Sequence, residues 1–138
     1  MTERIAYFNG SYVPESEVLI PFRDRGFVLG DAVFDTARTF GGMIFKLGEH
    51  IERLYRSLEA IDIDPGMTPQ EMRKISEEVD RRNLSHLEEG DDYWIFQRIT
   101  RGQNVVGGEL WQSSGPTVIV ECTPLPIKTR AKVFHEGI

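Results

Sequence analysis

With one cysteine in 138 residues, no disulfide can form within this chain. Cys122 follows Val118, Ile119 and Val120, and a thiol in that setting reads as a buried structural side chain in a reducing compartment, not as a nucleophile. Only three histidines are present, His50, His86 and His135, and they are scattered. With one cysteine beside them there is no zinc-ligand spacing, and no metal is expected. No apolar run approaches the roughly 18 residues that cross a bilayer. The amino terminus lacks a basic segment followed by an apolar one, so a soluble, cytoplasmic protein is expected. Positive charge is also scarce: 16 Lys and Arg against 22 Asp and Glu leave a formal charge of -6. That balance argues against a nucleic-acid or anionic-membrane partner. There is no internal repeat, no low-complexity segment and no Gly-rich phosphate loop after a strand.

What is present is a series of short strands around two helices. Ile5 to Phe8 and Tyr12-Val13 flank Asn9-Gly10, the signal for a two-residue hairpin turn. Pro14 to Ser16 reads as a turn and Val18 to Ile20 as another short strand. Phe22 to Asp31 reads as a charged loop with two glycines. Ala32 to Phe40 alternates as a strand, with Val33, Asp35, Ala37 and Thr39 on one face and Phe34, Thr36, Arg38 and Phe40 on the other. Gly41-Gly42 turns it into a partner strand over Met43 to Leu47. Helices are expected from about Glu49 to Ile61 and from Thr68, where Pro69 and Glu71 complete a capping box. Met72, Ile75 and Val79 form the apolar stripe of the second helix. Tyr93 to Arg101 and Thr117 to Cys122 read as strands, separated by a long loop from Gln103 to Ser114. Thr123 to Pro126 reads as a linker, and Lys128 to Ile138 as the start of a further strand. The expectation is an α+β fold, an antiparallel sheet with two helices on one side.

The chemistry concentrates on Glu49-His50-Ile51-Glu52-Arg53-Leu54. Ile51, Leu54, Leu58 and Ile61 recur at helical spacing and face a core, while His50, Arg53 and Ser57 share a second face. A guanidinium held on such a helix suits a phosphate monoester, which it meets with two parallel hydrogen bonds. A solvated surface arginine is the alternative on spacing alone. Asp31 and Asp35 make a weak candidate for a carboxylate pair. Read from its residues, the chain reaches an α+β domain with an arginine-rich, aromatic-lined face.

At Asp24-Arg25-Gly26-Phe27, Gly30-Asp31, Phe34-Asp35, Arg38, His50-Ile51-Glu52-Arg53-Leu54 and Thr100-Arg101-Gly102, the sequence resembles the class IV aminotransferases, the fold-type IV pyridoxal-phosphate enzymes. The group includes branched-chain and D-amino-acid aminotransferases, R-selective amine transaminases and aminodeoxychorismate lyase. The resemblance implies a small amino-terminal domain over residues 1–122, with 123–138 as linker and start of a second, missing domain. It implies pyridoxal 5'-phosphate as cofactor and Arg53 as its phosphate ligand. It implies a substrate wall of Leu29, Phe34, Thr36, Arg38, Trp94 and Phe96. The lysine that carries the cofactor as a Schiff base in the family lies beyond the last residue, so no catalytic residue is expected here, and the chain alone is expected to be inactive. Gln103 to Gly108 stands where D-amino-acid enzymes carry an arginine-histidine carboxylate trap. Trp94 and Phe96 stand where branched-chain enzymes carry Tyr and Arg. The implied activity is transfer of an amino group between an apolar, branched-chain-like amino acid or amine and a 2-oxo acid, in a homodimer or higher homo-oligomer. The alternatives are the lyase of the same family, or a truncated module that folds and self-associates without turnover.

Overall fold

Asn9 and Gly10 take φ of 45° and 102°, the two positive values that a tight hairpin turn demands. They join β1 (Ile5–Phe8) to β2 (Ser11–Pro14) in the computed structural model, which describes residues 3–137. β3 (Ala32–Phe40), β4 (Met43–Ile44), β5 (Tyr93–Thr100) and β6 (Thr117–Pro124) complete a six-stranded sheet in the order β2-β1-β6-β5-β3-β4. Every pairing described is antiparallel. Two long helices, α2 (Leu47–Ala60) and α3 (Pro69–Asn83), pack on one side, α2 against β3 and α3 against β6, β1 and β5. A five-residue helix, α1 (Arg25–Leu29), precedes β3, and α4 (Ile127–Glu136) follows β6. This is the expected α+β arrangement, with the other side of the sheet left uncovered by α2 and α3.

The core lies between the sheet and these two helices. Leu47, Ile51, Leu54 and Leu58 of α2 and Met72 and Val79 of α3 join Ala37, Ile95, Ile99, Val118, Val120 and Cys122 of the sheet in one buried cluster. Cys122 is fully buried, and burial pushes its thiol up to about 12, so it is inert at neutral pH. At the start of α3 the Thr68 hydroxyl accepts from the Glu71 amide and the Glu71 carboxylate accepts from the Thr68 amide, closing the capping box. Asp80 is buried on the inner side of α3, and its Oδ1 has no partner among the described residues. Burial, reinforced by Asp92, pushes its carboxyl up to about 6.

Several expectations need correction. Val18 to Ile20 joins no strand, and Leu19 and Ile20 are exposed. β4 is two residues long, because Lys46 takes a left-handed φ of 52° and starts α2 at Leu47 instead of Glu49. The charged loop before β3 contains α1, capped by Asp24. Ile61 is 39% exposed; the chain turns at Asp62 (φ 54°) and puts Ile63 into the core instead. Thr123 and Pro124 are not linker but the end of β6, paired with Trp94 and Tyr93. Lys128 to Glu136 forms a helix, not a strand, with Lys132 and Glu136 paired one turn apart; Ile138 lies outside the described residues.

Leu54→Ala is expected to cost about 3 kcal/mol, the usual penalty for a cavity in a packed core, and Ile61→Ala well under about 1 kcal/mol. Urea unfolding measures both. For Asp80 the folded carboxyl titrates above its unfolded value, so its charge opposes folding as pH rises from about 4 through about 6. Asp80→Asn therefore raises stability at pH 8, on the order of 1–2 kcal/mol, and changes little at pH 4.

Candidate active site

Burial along β3 follows the pleat. Asp35, Ala37 and Thr39 lie beneath the helices, while Phe34, Thr36 and Arg38 point to the uncovered face. Asp35, 4% exposed, is the one carboxylate on the strand. It accepts from Arg53 Nε at 2.7 Å and Nη2 at 2.8 Å, and from the Thr36 amide at 2.7 Å, and it meets His50 Nδ1 at 2.7 Å. Burial pushes the Asp35 carboxyl up, but the hydrogen bonds from Arg53 and His50 outweigh it and hold the carboxyl below the usual range. The carboxylate in turn raises the pKa of Arg53 further above its ordinary value. The two parallel bonds foreseen from this arginine to a phosphate thus go to Asp35. They fix the guanidinium plane, leave the side chain 59% exposed, and leave Nη1 without a partner among the described residues. Ser57, on the same helix face, only donates back to the Arg53 carbonyl at 3.1 Å.

On the uncovered face, Phe34 pairs across β5 with Arg98, Thr36 with Phe96, and Arg38 with Trp94. Trp94 and Phe96 meet edge to face, 6.2 Å between centroids. Five of the foreseen wall residues therefore share one surface. Leu29 stands apart at the end of α1, 63% exposed. Arg38 is already engaged: Nε donates to the Thr39 carbonyl at 3.1 Å, Nη2 lies 3.5 Å from Asp92, and the guanidinium sits 3.8 Å over the Phe40 ring. Arg53 and this wall lie on opposite sides of the sheet. Of β3, only Thr39 and Phe40 pair with β4, and the Phe45 amide donates to the Arg38 carbonyl, so Ala32 to Ala37 have no strand partner described on that edge.

The charged motifs around this edge turn out to be anchors, a role that spacing did not disclose. Asp24, fully buried, accepts from the Gly26 amide and from the Thr100 and Thr117 hydroxyls at 2.7–2.9 Å. Asp31 joins Arg25 and Arg101, which hold its carboxyl below the usual range; the Arg101 bond is the stronger influence. Arg101 also donates to the Ile61 and Asp62 carbonyls just past the last turn of α2. Gly26 sits where a Cβ would collide with Thr100 Cγ2, and Gly102, at φ 93°, where a Cβ would collide with the Gly115 carbonyl oxygen. A signal that could have marked Asp24 as a helix cap is an Asp two residues before a Gly at the head of an apolar turn. Asp35 offered none beyond its inward register on the strand.

The comparisons with known proteins bear on the family and the fold. The family model "Amino-transferase class IV" matches residues 32–133. The chain belongs to the class IV aminotransferases. It is 33% identical over 120 residues to a putative branched-chain-amino-acid aminotransferase of Methanocaldococcus jannaschii, covering 87% of this chain and 40% of that protein. It is 34% identical over 131 residues to the D-alanine aminotransferase of Bacillus licheniformis, covering 95% and 44%. Among solved structures, the branched-chain aminotransferase of Thermoproteus uzoniensis with norvaline superposes with a TM-score of 0.77 at 23% identity, over 90% of this chain and 41% of that one. A hypothetical aminotransferase from Mycobacterium tuberculosis, in its PLP-bound form, superposes at 0.75, also at 23% identity, over 92% and 42%. At that identity the structures speak for the fold. The chain spans about two-fifths of the length of the curated relatives it matches.

Class IV aminotransferases work with pyridoxal phosphate. Of that cofactor's two attachment points, this chain fits the phosphate end: an oriented, half-open guanidinium with unused donors. Among the described residues the lysines are committed or exposed. Lys46, Lys128 and Lys132 are paired with Glu49, Asp91 and Glu136, and Lys74 lies on the exposed side of α3.

Asp35 carries its stabilising charge only while ionised. Because its folded carboxyl titrates below the unfolded one, its contribution is complete above about pH 4 and is lost as pH falls through the folded value. Asp35→Asn is expected to cost about 1–3 kcal/mol at pH 7, and less at pH 3, in urea unfolding followed across that range.

Proposed function

We propose that this chain is the amino-terminal domain of a pyridoxal-phosphate-dependent transaminase that moves an amino group between an apolar, branched-chain-like amino acid or amine and a 2-oxo acid. The observation that carries the reading is the Arg53 guanidinium, oriented by Asp35 and His50 and open at Nη1 beside the free edge of β3. A dianionic ester docked there receives charge-assisted hydrogen bonds from a group that loses little freedom on binding. Membership of the class IV aminotransferases and likeness to branched-chain and D-alanine enzymes support the reaction class. The phenyl and indole rings of Phe34, Phe96 and Trp94 favour an apolar substrate side chain.

In this reading, bound pyridoxal phosphate supplies the electron sink for exchange of nitrogen at the substrate carbon. Arg53 holds the phosphate in register. Asp35 keeps the guanidinium plane fixed and carries its counter-charge. Phe34, Thr36, Trp94 and Phe96 wall the substrate and exclude water from it, with Arg38 at the rim; Leu29, on α1, adds apolar surface. The Schiff-base lysine belongs to a second domain, of which the residues after β6, 125–138, are the approach. Self-association as a homodimer is part of the proposal, supported by the exposed Phe27, Leu29, Leu110 and Trp111 on α1 and the neighbouring loop. A cytoplasmic location fits the single buried thiol; among the described residues no helix is long and apolar enough to cross a membrane.

The test is a cofactor titration of the chain joined to its carboxyl-terminal domain. Arg53→Ala is expected to weaken pyridoxal phosphate binding by about 10- to 100-fold, the worth of one or two charge-assisted hydrogen bonds. Unchanged affinity, read from the visible absorbance of the bound cofactor, refutes the assignment of Arg53. Transaminase turnover with a branched-chain 2-oxo acid, and none with aminodeoxychorismate, supports the reaction over the lyase alternative.

A further inference from the structure

Three arginines stand over the uncovered sheet face, and they differ in what they are free to do. Arg38 is held by Asp92 and the Thr39 carbonyl. Arg130, on α4, lies 5.9 Å from the Trp94 ring, with its charge out over solvent. Arg98 sits in the middle of the face, between Phe34 on β3 and Ile119 on β6, its partners in the strand register. Its guanidinium stacks 4.3 Å over Phe96. Nη1 donates to Glu121 Oε1, a half-buried carboxylate one strand over. Nε and Nη2, the edge that takes a carboxylate in two parallel bonds, have no partner among the described residues. Beside it the surface sinks into a cup of about 290 Å³ walled by Ile20, Phe27, Phe34 and Ile119, with Arg98, Thr100 and the buried, hydrogen-bonded Asp24 also in its lining.

A cation with one edge fixed and the other open, at the wall of an apolar cup, matches a small ligand with an anionic head and a branched hydrocarbon body. We infer that Arg98 is a specificity-determining residue that receives the carboxylate of an apolar monocarboxylic acid, whose hydrocarbon end fills the cup between α1 and β3. Glu121 acts on this contact in two ways: it orients the guanidinium through Nη1, and its negative charge opposes a second carboxylate on the same group. A ligand with a further acidic group therefore binds less well than one with a single carboxylate. This inference rests on the proposed amino-acid and 2-oxo-acid substrates and names the cation that reads their carboxylate.

The test needs neither cofactor nor turnover. The 138-residue chain is titrated with 4-methylpentanoate and, separately, with 4-methylpentan-1-ol, the same body without the charge, and binding is followed by amide chemical shifts. The acid is expected to bind at least tenfold more tightly than the alcohol, with the largest shifts around Phe34, Arg98 and Ile119. Arg98→Leu is expected to remove that preference, Arg98→Lys to keep part of it, and Arg130→Gln to leave it intact. Glu121→Gln keeps an acceptor for Nη1 and removes the opposing charge, so the acid should bind severalfold more tightly; this variant carries the test if Arg98→Leu does not fold. The inference is overturned if the acid does not bind saturably or if its preference survives Arg98→Leu. It is equally overturned if Arg130→Gln erodes the preference as much as Arg98→Leu, or if Glu121→Gln leaves affinity unchanged or weaker. Turnover by the longer protein without acid binding here removes only the role of Arg98; acid binding here without any turnover there removes the transaminase reading instead.

Discussion

One carboxylate organises the site. Asp35 is sunk between the sheet and α2, where an unpaired charge would cost several kcal/mol, and it is tolerated because Arg53, His50 and the Thr36 amide all point at it. The arrangement has a direction. The acid is buried and immobile while the arginine is half in solvent, so the acid sets the position of the cation. An unpaired arginine side chain would have to give up its freedom whenever an anion bound; here that entropy is lost on folding instead. The pairing also ties α2 to β3 through charge as well as through the packing of Ile51 and Leu54.

β3 is the element on which both halves of the site meet. Its pleat sends Asp35 inward to the helices and Phe34 and Thr36 outward to the open face, so the partner of Arg53, the proposed phosphate ligand, and the proposed apolar wall rest on neighbouring residues of one strand. That economy works because β4 is so short. A longer partner would cover the edge of β3 and separate the two surfaces. Lys46, in the left-handed region, ends β4 after two residues and starts α2 at once, and this keeps the edge open. The anchors at Asp24, Asp31, Arg101, Gly26 and Gly102 then pin α1 and the end of β5 around the head of β3, where small displacements would be felt at the wall.

Family membership places the chain among the class IV aminotransferases, and in the proposed function the open face reads the substrate. The relatives are named for branched-chain amino acids or D-alanine, and the face here differs from a generic apolar pocket in having three cations with different commitments. Arg38, drawn aside by Asp92, and Arg98, half free above Phe96, have the same charge and sit on the same sheet, yet their surroundings leave them with different capacities to meet an anion.

Much of this was legible in the chain because it depends on local chemistry. Positive φ at Asn-Gly, the Thr-Pro-x-Glu cap, the alternation of Ala32 to Phe40 and the stripe through Ile51, Leu54 and Leu58 are properties of a few neighbouring residues, and each element formed where that chemistry put it. The errors fell where a non-local partner decides. Val18 to Ile20 had strand composition but joined no strand, Ile61 kept the helical period but lost its place in the core to Ile63, and Lys128 to Glu136 carried no strand-forming constraint and became a helix. The site divides in the same way. Spacing alone put Arg53 on an exposed helix face, and alternation alone grouped Phe34, Thr36 and Arg38. That Asp35 reaches across to hold Arg53, that Asp92 claims Arg38, and that Arg98 keeps an open edge were decided by tertiary structure, because the partners lie 15 to 54 residues apart and only strand register and helix packing bring them within hydrogen-bonding range.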